Sequence, residues 1–475
     1  MSLIIRNATA ILTGMAGEQA RHAGPDIRIV RGRIEAIGKL TPQPGERQID
    51  ASGCVVYPAW VNTHHHLFQS LLKGDPQGIN ATLTPWLAAT PWRLRPHMDE
   101  GMFRLAARIG LIELALSGCG TVADHNYHYW PNMPYDSSAI LFEEAQALGL
   151  RFALCRGGGT LSRMKAEELP PALRPETLDA YLADIERLAS RFHDAAPDGM
   201  QRVVVAPTTP PHSMRPEEMR ECAAVARQLG LRLHSHLSET VHYQDSVHAQ
   251  HGMTPVRFCE TIAWLGPDVW FAHLVKLDAD EIALLGATGT GIAHCPQSNG
   301  RLGSGIAPVR ALEDAGATVS IGVDGAASNE AADMLSETHA AWLMQRARAG
   351  EAARALHRGG QGEALAASAA TVEDVVRWGT AGGAKVLGLS CVGTLAPSQA
   401  ADIAIYALDR DPRYFGLHDP AVGPVASGGA AHLKALLVGG NEVVRDGTIA
   451  GLDLAALGRQ AREAVVKLAQ STAPG

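Results

Sequence analysis

The chain has 475 residues, 46% hydrophobic and 19% charged, with a formal net charge of -8. That is an ordinary globular composition, longer than a typical single folding unit, and its interspersed acids and bases leave no basic stripe for nucleic acid. Seven isolated cysteines without a C-x-x-C pair argue against a disulfide framework and the zinc sites built on that pair; with no signal segment or membrane-length apolar run, a cytoplasmic location is expected.

In chain order, residues 3–12 read as one strand, and residues 27–30 and 34–37 as a hairpin turning at Arg31-Gly32-Arg33. An extended β-branched run, residues 54–62, then closes on Thr63-His64-His65-His66. Further short apolar strands are expected at 120–124, 151–155, 202–207, 231–236, 269–273, 291–294 and 318–324. Amphipathic helices such as 216–229 and 307–315 separate them. With the His64 strand that makes eight, the pattern of a closed α/β (β/α)8 barrel with its site at the strands' C-terminal ends. Strand patterns return at 401–406, 433–438 and 442–447, and a helix at 455–468 ends the chain. Two strand-rich ends around a different middle predict a small β-sandwich from residues 1–57 and 390–455, a barrel over 58–389, and a C-terminal helix and tail over 456–475.

The polar residues of interest fall where barrel strands end. Side chains alternate along a strand, so His64 and His66 share a face while His65 points away. His236 ends the fifth strand, His273 the sixth and Asp324 the eighth. Three imidazoles, His64, His66 and His236, with the Asp324 carboxylate can hold one divalent metal and leave a position open for water, as in catalytic zinc sites. Zn2+ is preferred, and Fe2+ or Mn2+ suits the same donors. Glu239 follows His236 by three residues; in a dry cavity its pKa would rise, suiting it to protonate a ring nitrogen. The competing reading makes Glu239 a first-turn helix acid and Asp324 a helix cap, but Ser328 and Asn329 explain that cap better. His294, His65, His125 and His128 are read as structural or as supporting the site.

His64-x-His66, His236-x-x-Glu239, His273 and Val323-Asp324-Gly325-Ala326-Ala327-Ser328-Asn329 resemble the amidohydrolase superfamily, closest to its aminohydrolase branch of purine, pterin and triazine deaminases. His294-Cys295-Pro296-Gln297-Ser298-Asn299 matches that branch as well. The resemblance covers nearly the whole chain. It implies attack of activated water on an amino-bearing ring carbon, with Asp324 taking the water's proton, Glu239 protonating the ring nitrogen and His273 steadying the oxygen. Ammonia leaves and a carbonyl remains. Superfamily members with two metals bridge them through a strand-four lysine; residues 203–213 contain none, so one metal is expected.

Candidate substrate contacts are Gln69 (an amide able to read an N–H/C=O edge), Trp86 (a flat stacking surface), Arg156 (a binder of a ring carbonyl) and His212. The loop from Leu67, the Arg156 segment and residues 413–420 look similar to the 8-oxoguanine and isoxanthopterin deaminases. Gly157-Gly158-Gly159 would enlarge the pocket and favour the larger pterin ring. A small heterocyclic substrate is thus expected, isoxanthopterin first, with 8-oxoguanine and then triazines as alternatives, in a homodimer that binds neither membrane nor nucleic acid.

Overall fold

A computed structural model describes residues 2–22, 24–162, 164–355, 359–429 and 431–472. Eight parallel strands close a barrel in chain order: Trp60–Asn62, Cys119–Asn126, Arg151–Arg156, Gln201–Val205, Arg232–Leu237, Val269–His273, Gly291–His294 and Val319–Ile321. The ring is sealed where Ile321 pairs with Asn62. Small side chains make this closure possible. Ala123, Ala153, Cys155, Val204 and Ala293 pack in one buried cluster, while the alternating Val122, Phe152, Leu154, Val203 and Ile292 pack in the larger one that includes the helices.

The terminal strands form two further sheets. One is ordered Arg33–Gly38, Asp26–Val30, Ser2–Arg6, Arg47–Asp50; the other runs Asn441–Arg445, His432–Val438, Ile403–Ala407, Cys54–Pro58, Ala10–Leu12, Arg21–His22. Leu3, Ile5, Ile27 and Ile29 of the first share a buried core with Ile11, Val56, Ile403, Ile405 and Leu437 of the second. The hairpin forms, its turn made by Arg31 (φ 50°) and Gly32 (φ 76°), both in the left-handed region that hairpin turns of this hand require.

Two expected runs prove to be divided. Residues 3–12 are not one strand: Asn7 turns the chain at φ 61°, sending residues on its two sides into different sheets. Residues 54–62 also split, because Cys54–Pro58 pairs with Ile403–Ala407 and Trp60–Asn62 enters the barrel. That single change of sheet couples the terminal layers to the start of the site. The expected helix at 216–229 spans Pro216–Gln228, and the last helix, Leu454–Ser471, is tied to the barrel's first helix, Glu100–Leu116, by Lys467 on Asp99 at 2.7 Å. Among the described residues no helix is long and apolar enough to cross a membrane.

Candidate active site at the strand carboxyl ends

Just past the first barrel strand the chain leaves regular structure, and His64, His65 and His66 project from an irregular segment. His65 turns away, its Nδ1 2.5 Å from the Asp324 carbonyl oxygen. The others point inward with defined tautomers. His66 Nδ1 lies 2.7 Å from the His125 carbonyl oxygen and His236 Nδ1 2.7 Å from that of Thr208, so each donates from Nδ1 and leaves its Nε2 lone pair free. His64 reaches the same state through a relay. His234 donates from Nδ1 to the Trp270 carbonyl (2.9 Å), and its bare Nε2 accepts the Nδ1 proton of His64 at 2.8 Å.

Three lone pairs therefore face one another. His66 Nε2 and His236 Nε2 are 3.2 Å apart with no proton to share, and buried His64 Nε2 has no hydrogen-bond partner. Asp324 Oδ1 lies 3.4 Å from His64 Nε2 and 3.3 Å from His66 Nε2. Such a set repels itself unless a cation sits inside it, so this donor set fits a metal. His64, His236, His273 and Asp324 offer ligand atoms all within 4.8 Å of one another, as do His64, His66, His125 and His236.

Asp324 is held in the left-handed region, φ 60°, which aims its carboxylate back across the barrel mouth. Ser298 Oγ donates to Oδ2 at 2.6 Å and the Gly325 amide to Oδ1 at 2.7 Å, and Oδ1 also faces the histidines. Burial pushes the Asp324 pKa up, but the facing His64 and His66 imidazoles outweigh it and hold the group well below the usual carboxylate range. The expected helix cap does not form: Ser328 and Asn329 lie inside the short helix Ala326–Asn329 and bond the Gly325 and Val323 carbonyls.

Glu239 precedes the next helix, Val241–His251, whose cap is Thr240, so it is not a first-turn acid. It is buried, and burial raises its pKa. Its Oε1 accepts from Ser304 Oγ (3.1 Å), and its Oε2 lies 3.7 Å from His273 Nε2. The Asn299 amide nitrogen donates to His273 Nδ1 at 3.0 Å, which leaves the ring proton on Nε2, facing Glu239. His273 is thereby set up as a donor rather than a ligand.

The four expected substrate contacts separate. Gln69 is fully buried beside the site: its Nε2 donates to Tyr127 Oη (2.8 Å), its Oε1 has no partner, and the Tyr127 ring meets the His66 ring edge-on at 4.9 Å. Trp86 is committed to packing, with its Nε1 on the Ala327 carbonyl at 3.0 Å. His212 meets the Tyr243 ring edge-on, centroids 5.3 Å apart. Arg156 is not brought to the histidines. It faces outward, where Glu176 (2.6 Å) and Asp184 (3.0 Å) saturate its guanidinium against Tyr129 and Tyr181. Nor do Gly157 and Gly159 enlarge the pocket: a Cβ on either would strike the Asn126 or Ser213 carbonyl at 2.5 Å, so they serve close backbone approach.

Sequence reasoning gave no role to the supports, His234, Ser298, Asn299 and Ser304. It also missed Asp124, whose Oδ1 accepts the Leu67 amide (2.7 Å) and whose pKa burial lifts to about 7. His234 left a signal, two residues before His236 on the same strand face, and Ser298 and Asn299 stand in the run after His294 that carries the resemblance.

Residues 55–447 match the model of the amidohydrolase family. The chain is 66% identical over 470 residues to an isoxanthopterin deaminase from an unknown prokaryotic organism, covering 98% of this chain and 97% of that one. It is 39% identical over 458 residues to an 8-oxoguanine deaminase of Pseudomonas aeruginosa, covering 95% and 96%. Among solved structures, an amidohydrolase from an environmental sample of the Sargasso Sea superimposes with TM-score 0.86 at 58% identity, covering 99% of both chains.

Proposed function

This chain belongs to the amidohydrolase family, and from that premise we propose that it is a metal-dependent aminohydrolase that deaminates isoxanthopterin, replacing the 2-amino group by a carbonyl and releasing ammonia. The carrying observation is the convergence of three proton-free imidazole nitrogens and one carboxylate beside a buried acid and a histidine N–H. The 66% identity to an isoxanthopterin deaminase over almost the full length supports the substrate.

We assign His64, His66, His236 and Asp324 as the ligands of a single Zn2+; mixed nitrogen and oxygen donors at an open site suit that ion. When bound, the metal supplies Lewis acidity that brings water's pKa to about 7. The chain's own groups do the rest. Burial disfavours the charge of Glu239 and so suits it to deliver a proton to the ring nitrogen next to the amino-bearing carbon. His273 Nε2–H steadies the incoming oxygen as negative charge develops on it. Asp324, kept ionised by its histidine neighbours, accepts a proton and returns it to the departing amine. Gln69 Oε1, buried without a partner, accepts an N–H of the ring.

The test follows ammonia release by the zinc-loaded enzyme with isoxanthopterin, 8-oxoguanine and an aminotriazine. Isoxanthopterin is expected to give the highest kcat/KM. A higher value for 8-oxoguanine reassigns the substrate, and ammonia from none of them removes the deaminase reading.

A further inference from the structure

Two arginines stand two residues apart in the first loop, and the fold treats them differently. Arg93 is paired with Asp75 at 2.8 Å. Arg95 is 8% exposed and forms no ion pair with any carboxylate among the described residues; Nη1 donates to the Tyr127 carbonyl (3.0 Å), Nη2 to the Ala172 carbonyl (2.8 Å), and Nε has no partner. Its Cζ lies 5.6 Å from the Tyr127 ring centroid. A buried guanidinium compensated by carbonyl dipoles and a tyrosine ring, with no carboxylate, is an expensive arrangement, and folds keep such groups where a charge is used. Burial lowers its pKa, and only Tyr127 and Tyr135 counter the effect.

The neighbourhood says what the charge is for. Tyr127 touches the His66 ring on one contact, takes a hydrogen from Gln69 Nε2 on another and carries Arg95 on a third. Around one aromatic ring stand an orphaned acceptor, Gln69 Oε1, and an orphaned donor, Arg95 Nε. A ring lactam is their complement, since its N–H meets an amide oxygen and its oxygen meets a guanidinium. Ala172 and Tyr127 lie in the segments after the third and second barrel strands, so Arg95 also joins three loops at the mouth. We propose that Arg95 is a specificity-determining residue that receives the lactam oxygen, or its ionised form, of an oxidised amino-heterocycle. This inference rests on the deaminase reading and adds to it the group that distinguishes oxidised rings from simpler ones.

The test measures kcat and KM of zinc-loaded wild type, Arg95→Gln and Arg95→Lys with isoxanthopterin and with 2-amino-4-oxopteridine, which lacks the second lactam oxygen. In Arg95→Gln, KM for isoxanthopterin is expected to rise about 10- to 100-fold, the loss typical of a charged hydrogen bond. The simpler ring should change little, so the kcat/KM ratio collapses, with Arg95→Lys intermediate. Wild-type binding of isoxanthopterin should tighten as pH rises through the ligand's own ionisation, and the Gln variant should lose that dependence. Equal losses for both rings would mean Arg95 only braces the loops, overturning the proposal; should Arg95→Gln not fold, an unchanged ratio in Arg95→Lys overturns it too. A wild type inactive on both rings would instead sink the deaminase reading on which this rests.

Discussion

Glu239 shows how a single side chain trades stability for chemistry. Thr240 caps the following helix, so Glu239 stays on the mouth, buried, with Ser304 and His273 as its neighbours. Burial raises its pKa above the unfolded value of about 4.3. A carboxyl with a raised folded pKa stabilises the fold fully below the unfolded pKa and loses that contribution as pH rises through the folded one. Glu239→Gln, always neutral, should therefore melt higher than wild type at pH 8 and alike at pH 4, compared by calorimetry of the metal-free proteins. The same substitution removes the transferable proton and should cut kcat about 10²- to 10⁴-fold. A wild-type-like kcat would remove Glu239 from proton transfer. At this scale the residues with chemistry were legible, because strand ends announce them; their supports were not. Ser298, Asn299 and Ser304 reach Asp324, His273 and Glu239 through a loop path, so the run after His294 carries them without showing which group each one holds.

At the scale of elements, what mattered was which way a strand's side chains face. In Arg151–Arg156, Ala153 and Cys155 share the small-residue cluster of the barrel interior while Leu154 packs in the outer core, so Arg156, one step past Cys155, must face outward. Counting alternation from the strand would have kept it out of the site. Segment ends were harder: residues 3–12 carry one apolar pattern, and only the left-handed turn at Asn7 divides it. The last and first barrel strands meet closely where the ligands lie. A Cβ on Gly322 would come within 2.6 Å of His64 Cβ and 2.9 Å of its backbone nitrogen. Gly322→Ala should therefore displace His64, costing about 1–3 kcal/mol of stability from overpacking. Its zinc affinity, read by competition with a chelator, should weaken about 10-fold or more, as supporting changes around metal ligands do. Unchanged affinity would mean that the strand-one segment is not positioned by this contact.

At the scale of the whole molecule a buried ion pair joins the barrel to the terminal sheets. Arg151 opens the third barrel strand and is 2% exposed; Asp402, just before the central strand Ile403–Ala407 of the terminal sheets, is equally buried. They meet at 3.0 Å; Arg151 also donates to the Asp198 and Gly199 carbonyls, and Asp402 accepts the Gly439 amide at 2.6 Å. The chain crosses between layers here as well, with Cys54–Pro58 in the sheet and Trp60–Asn62 in the barrel. Layers joined by a shared strand run and a desolvated pair should unfold together. Asp402→Ala strands the Arg151 charge in the interior and orphans the Gly439 amide, so about 3–5 kcal/mol should be lost. The loss should appear as a lower melting temperature for one cooperative transition, with kcat of the surviving zinc-loaded enzyme nearly unchanged, since neither residue approaches the histidines. Calorimetry decides it: a second, earlier transition carrying only the enthalpy of the terminal sheets would mean that the layers fold independently and that the pair is local to one of them.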